Sequence, residues 1–179
     1  NLKVCRFGDN MRQVAVTEGN KVSAQINFGW QVNTWPVGDL VEYVNAVTEE
    51  EISTQLAEYK ERYDINTINL ESIRYQAKLN IAMKKCLDKI GAKAFTDTFE
   101  DLHGLEQLGG LASQNLMYDG YGFGGEGDWK TSAMTHIVKE MTKGRTGGTS
   151  FMEDYTYHMV NDGYVLGSHM LEVCPTIAN

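Results

Sequence analysis

The chain, 179 residues long, lacks the signals of several protein classes. Its three cysteines, Cys5, Cys86 and Cys174, are odd in number, far apart and without a C-x-x-C pair. Neither a disulfide framework nor a zinc ribbon is therefore expected, and reduced thiols in the cytoplasm are the simplest reading. Basic residues are scarce relative to acidic ones, 16 against 24, for a net charge of -8. Sequence-independent nucleic-acid binding needs the opposite balance, so small molecules or protein surfaces are the expected partners. No stretch is apolar and long enough to cross a bilayer, and the N-terminus lacks the basic-then-apolar layout of a signal peptide. There is no internal repeat or low-complexity tract. An apolar run (Leu2, Val4, Cys5, Phe7) is already under way at the first residues, and the chain stops at Ala178-Asn179 without a polar tail. It is expected to be a piece of a longer protein: one sizeable domain and the beginning of another.

The elements present suggest layered α/β architecture. Leu2 to Phe7, Gln13 to Thr17 and Lys21 to Ile26 read as short strands of a meander, parted by turn residues Gly8-Asp9-Asn10 and Glu18-Gly19-Asn20. After Trp35-Pro36 the pattern becomes helical, first around Asp39 to Val47. Thr48 with Glu51 forms a capping-box pattern for a helix whose apolar face is Ile52, Leu56, Tyr59 and Tyr63. Apolar residues recur at three- and four-residue steps from Leu70 to Ile90, and Gly91 stands where a C-cap glycine belongs. A β-type run follows at Lys93 to Phe99, then a weaker helix from Leu105 to Met117. The next helix, Asp128 to Lys143, presents Ala133, Met134, Ile137, Val138 and Met141 on one face. This alternation predicts an α/β layered domain with a largely parallel sheet up to about Gly147. Beyond it, Thr149 to Val160 and Tyr164 to Val173 read as β runs around Asn161-Asp162-Gly163.

Three short stretches carry the chemistry. Glu126 lies in Gly124-Gly125-Glu126-Gly127-Asp128-Trp129, Glu153 in Phe151-Met152-Glu153-Asp154-Tyr155, and His169 in Gly167-Ser168-His169-Met170. Two carboxylates and an imidazole are suited to hold a divalent ion such as manganese and to leave positions open for a substrate's oxygens. Asp128 fits an N-cap role, which leaves Glu126 free. A three-residue loop at Asn161-Asp162-Gly163 would set Glu153 opposite Leu171 and His169 opposite Tyr155, diagonal neighbours on one face. A two-residue loop would separate them, so a shared site requires an odd loop or a bulge. Two unrelated strand residues remain the plainer alternative. Gly120-Tyr121-Gly122-Phe123-Gly124-Gly125 matches G-x-G-x-x-G, but it follows a helical segment, and Glu126 and Asp128 would put anions where a pyrophosphate must sit. His103, His136 and His158 carry no function by spacing alone.

The stretches Phe7 to Arg12, Thr98 to Leu105, Gly125 to Thr131, Gly148 to His158 and Leu166 to Pro175 together resemble the bacterial L-arabinose isomerase family, essentially end to end. The resemblance implies a layered α/β/α (Rossmann-like) central domain at 1–147, followed from 148 by the first strands of a β-barrel-like C-terminal domain. It implies an aldose-ketose isomerase that converts L-arabinose to L-ribulose, and D-galactose to D-tagatose, through an enediol with the help of Mn2+. Glu126, Glu153 and His169 fall on three of the family's four metal positions, and the two glutamates on its proton-transfer positions. The fourth ligand, a histidine, belongs to a later motif, and the family's N-terminal domain is also absent from the chain. Met11, Phe99, Asp128, Phe151 and Glu172 are implied to touch the sugar or orient the ligands. A trimer-based homo-oligomer is further implied, and by charge and hydropathy neither nucleic acid nor membrane is an expected partner. An isomerase of another sugar such as L-fucose is the nearest alternative. A non-catalytic folding or assembly segment is the alternative for these residues by themselves.

Overall fold

A computed structural model of the chain describes residues 1–178. Strands β1 (Lys3–Phe7), β2 (Gln31–Trp35), β3 (Ala94–Thr96) and β4 (Gly122–Phe123) form a parallel sheet in the order β2-β1-β3-β4. Val4 pairs with both Val32 and Ala94, and Phe95 pairs with Phe123. Because successive side chains in a strand point to opposite faces, the central strands β1 and β3 feed two apolar layers. Cys5, Phe7 and Phe95 enter one; Val4 and Ala94 enter the other.

The first layer is covered by helices α2 (Val37–Asn45), α4 (Leu70–Ile90) and α5 (Gly110–Tyr118), with α3 (Glu49–Arg62) against α4. Leu79, Met83 and Leu87 of α4 are almost wholly buried there. Thr48 caps α3 as expected: its Oγ1 accepts the Glu51 N–H at 3.3 Å, and Glu51 Oε2 accepts the Thr48 N–H at 3.0 Å. Gly91 ends α4 in the left-handed conformation, φ +70°. Helices α1 (Lys21–Phe28) and α6 (Trp129–Met141) cover the second face, so the unit is an α/β/α sandwich. Helix α5 begins at Gly110, later than the Leu105 of the sequence reading.

The predicted N-terminal meander does not form. Ala15–Thr17 is a single 3-10 turn, and the Lys21 to Ile26 run is helical. The reason is local: the Asn20 side chain accepts the Ser23 N–H at 2.8 Å, and Gly29 closes the helix at φ +68°. Asn20 is thus a helix cap and not a hairpin residue.

The expected apolar face of α6 holds only in part: Ala133 is buried and Ile137 half-buried, as expected, but the methionines and Val138 of that face are not. Met134, Val138 and Met141 are exposed, while Trp129, Ser132, Ala133 and Lys139 are buried. Helix and strand approach so closely that only small groups fit the seam. A Cβ on Gly122 would lie 2.6 Å from the His136 backbone nitrogen and collide with the Ser132 carbonyl oxygen. Close contact selects Ser132 and Ala133 over methionine.

Strands β5 (Glu153–His158) and β6 (Tyr164–Ser168) form a separate antiparallel pair. They are shorter than the two predicted runs, and their register differs. His158 faces Tyr164, and Glu153 faces Ser168 rather than Leu171. The loop takes in Met159 and Val160 as well, with Asn161 at φ +57° and Gly163 at φ +67°. A register shift between Asp154 and Thr156 then brings Glu153 beside the residue preceding His169.

Candidate active site at the carboxyl ends of the parallel strands

The parallel strands β1, β3 and β4 deliver the loops that carry Met11, Asp97 to Phe99 and Glu126. Loops at the carboxyl ends of parallel strands are where open α/β sheets bind ligands. Glu126 is held there in the left-handed region, φ +62°, an uncommon conformation for a residue with a side chain. Its carbonyl accepts the Met11 N–H at 3.0 Å. Gly127, at φ +81°, lies so close to the loop after β1 that a Cβ would strike Asn10 Cα and approach Asp9 O to 2.7 Å. The Gly127 N–H donates to Asp97 O at 2.9 Å, which ties the same loop to the end of β3.

The β5–β6 pair brings the other two groups to this edge. His169 Nε2 stands 3.9 Å from Glu153 Oε2, and the ring is packed edge-on to Phe151 at 4.8 Å between centroids. Phe151 in turn lies edge-on to Phe123 of β4, at 5.5 Å. An aromatic series thus carries the position of the sheet through to the imidazole. Gly125 leaves the space: a Cβ there would already touch Phe151 Cζ at 3.5 Å and His169 Cε1 at 3.7 Å.

Glu172, 2% exposed, accepts from His169 Nδ1 at 2.8 Å. This bond orients the ring so that Nε2 faces Glu153. It is also the main reason the His169 pKa is raised, against the opposing effect of burial and with further help from Glu153 and Glu126. The Glu126 carboxyl is raised as well, first by burial and then by the charge of Glu153. Asp97 was not singled out by the sequence, although an acid directly after the apolar β3 run was a usable signal. Burial, then the neighbouring Glu172, pushes its carboxyl up to about 7. Asp97, Phe99, Glu126, His169 and Glu172 line one cavity of about 120 Å³.

The remaining implied residues divide. Phe99 is half-exposed at the cavity, and Met11 meets Glu126 through the backbone. Asp128 is the N-cap of α6: its Oδ1 accepts from the Lys130 and Thr131 backbones, and Oδ2 accepts the Thr131 hydroxyl. None of these bonds reaches Glu126, Glu153 or His169. His136 is spent on the Gly120 carbonyl at 3.1 Å, and His158 packs against Tyr164.

The donor chemistry suits a divalent ion: two carboxylates and an imidazole whose second nitrogen is fixed by a buried glutamate, the usual support of a metal-binding histidine. As placed, no three His, Cys, Asp or Glu side chains among the described residues stand close enough to enclose an ion unaided. Among those residues, too, no helix is long and apolar enough to cross a membrane.

E172Q tests the support directly. A raised histidine pKa stabilises the fold below the unfolded-state value of about 6.5, and that contribution is lost as pH rises through the folded-state value. In metal-free protein, the E172Q substitution should lower the His169 pKa in an NMR titration of the imidazole. It should also cost more stability at pH 6 than at pH 9; an unchanged His169 titration would show that Glu172 does not govern the ring.

A cavity lined by acids and an imidazole at the carboxyl edge of a parallel sheet, bounded on its other side by the residues that follow β6, is suited to a small-molecule site. The comparisons with known proteins make the family specific. Residues 3–144 match the model of the L-arabinose isomerase central domain and residues 148–179 that of the L-arabinose isomerase C-terminal domain, so the chain belongs to the L-arabinose isomerase family. It is 57% identical over 185 residues to an L-arabinose isomerase of Klebsiella pneumoniae and 58% identical over 184 residues to one of Salmonella paratyphi A. Each alignment covers 99% of this chain; the chain spans 37% of the length of each relative.

Proposed function

We propose that the full-length protein carrying this chain converts L-arabinose to L-ribulose, and D-galactose to D-tagatose, by proton transfer through an enediol. The observation that supports this most is that Glu126 and His169 line one cavity at the edge of the sheet, with Glu153 3.9 Å from His169, in a chain of this family. Moving a carbonyl between adjacent carbons needs one group to take a proton from carbon and another to supply one to oxygen. Glu126, whose carboxyl is raised by burial and by Glu153, is suited to keep or deliver a proton. Glu153, 3.9 Å from His169, is the complementary group. His169 is held by Glu172 with Nε2 toward the same space.

Glu126, Glu153 and His169 would hold Mn2+, completed by a histidine from outside these residues. When bound, the ion would supply positive charge for the two sugar oxygens between which the carbonyl moves. A cytoplasmic homo-oligomer that contacts neither nucleic acid nor membrane completes the reading. These residues by themselves should act only as a folding and assembly segment.

The test is a ketose assay on the full-length protein with L-arabinose and, separately, L-fucose, before and after chelation of metal. Turnover of L-arabinose that is lost on chelation and restored by Mn2+ is the expected result. Preference for L-fucose, or activity indifferent to chelation, would overturn the assignment.

A further inference from the structure

Lys139 is 8% exposed, on the inner side of α6, and forms no ion pair with a carboxylate among the described residues. Its Nζ donates to the Thr149 carbonyl at 2.7 Å and lies 3.2 Å from Cys174 Sγ, which is wholly buried. An amine enclosed with only a carbonyl and a sulfur is a poor way to bury a charge, because the usual compensating anion is missing. It is a good way to hold two reactive atoms together, since 3 to 3.5 Å is about the separation of a near-attack arrangement.

Both sides of the pair are fixed. The Cys174 N–H donates to Ser150 Oγ at 2.8 Å, and Sγ lies 3.1 Å from Thr176 Oγ1. Gly148 lets this segment cross closely: a Cβ there would collide with Thr176. The other two cysteines lack such a partner. Burial pushes the Cys86 thiol up to about 11 and raises the Cys5 thiol further, and neither has a hydrogen-bonded amine among the described contacts. The structure therefore contains two inert thiols and one paired with a nucleophile.

We propose that Lys139 and Cys174 form a reversible peroxide-driven cross-link, a sulfenamide bond between Nζ and Sγ. In the first step Sγ attacks one oxygen of hydrogen peroxide. The O–O bond breaks, Sγ–OH forms and water leaves; sulfur is oxidised and the peroxide reduced. In the second step Nζ, having released its ammonium proton, attacks Sγ. The N–S bond forms, the S–O bond breaks, and the departing hydroxide with the second nitrogen proton leaves as water. Condensation of a sulfenic acid with a nitrogen in this way is known cysteine chemistry. Two equivalents of a thiol reverse it, ending as a disulfide while sulfur and amine are regenerated. Peroxide is small enough to enter on local opening of the adjoining exposed stretch 143–148. The bond would staple α6 to the chain two residues beyond Glu172, which holds His169.

The experiment uses full-length protein treated with hydrogen peroxide, alkylated and digested with trypsin, with and without later thiol reduction. A joined peptide pair lighter by two hydrogens than the sum of its parts, uncleaved after Lys139 and separated by reduction, is expected. Cys5 and Cys86 should remain alkylatable. K139Q should form no joined pair and should let Cys174 proceed to sulfinic acid. Wild-type protein in which Cys174 remains alkylatable, or is oxidised while trypsin still cleaves after Lys139, would overturn the proposal without reference to any variant.

Discussion

Glu126→Gln and Glu153→Gln in the full-length protein should each reduce L-arabinose turnover by about 10³-fold or more, with the far-UV circular dichroism unchanged. General acid-base groups typically contribute about 10²- to 10⁴-fold, and each of these glutamates also supplies charge for the proposed ion. Glutamine keeps the shape and can hydrogen-bond, so loss of activity would report loss of charge and of proton transfer, not of packing. Among the described residues, the long 3.9 Å contact of Glu153 with His169 is the one ion pair either carboxylate makes, so the amides should leave the fold intact. The two variants should differ in metal affinity less than in turnover if both carboxylates also move protons. Near-normal turnover in either would remove that residue from the proposed mechanism.

Gly122→Ala should have the largest effect on stability. The added methyl meets backbone atoms of α6, including the His136 nitrogen at 2.6 Å, and no side-chain rotation can relieve a backbone collision. Overpacking of this kind commonly costs about 1–3 kcal/mol and more where the backbone must move; here roughly 3 kcal/mol or above is expected. Activity should fall with stability, because β4 leads directly into the Glu126 loop. Gly38→Ala is the matched control. Gly38 lies in α2 with nothing within 4 Å of the added carbon, so alanine should be neutral or stabilise by up to about 1 kcal/mol. Equal urea midpoints for the two variants would show that the seam is looser than described.

Much of the fold was legible because local signals agreed. The Thr48 and Glu51 cap, the apolar face of α4 and the Asp128 cap each depend on neighbours within one helical turn. Errors arose where a distant surface decided. On α6 the hydrophobic stripe places Ala133 correctly but not Met134, Val138 or Met141, because the strand end at Gly122 approaches the helix so closely. The Asn20 signal was ambiguous: the same residue type serves turns and caps, and Gly29 resolves it only when the two are read as the ends of one helix.

At the candidate site, the surroundings in sequence and the family resemblance single out Glu126, Glu153 and His169, but the 3.9 Å approach of His169 to Glu153 is not readable from them. The hairpin register differs from the expected one because the loop includes Met159 and Val160, whose apolar character is a strand signal. The shift between Asp154 and Thr156 offset that error at the level of the site, leaving Glu153 near His169 by a different pairing. Asp97 escaped because its proximity to Glu172 joins residues from two modules, a relation that sequence separation conceals.

The bond from the Met11 N–H to the Glu126 carbonyl makes the turns after the first and last strands of the parallel sheet a single mechanical part. With Gly127 wedged against Asn10, neither turn can tilt alone. A ligand that leans on Met11 would therefore be felt as torque at the Glu126 backbone, and the carboxylate's aim is set as much by residues near the start of the chain as by its own neighbours.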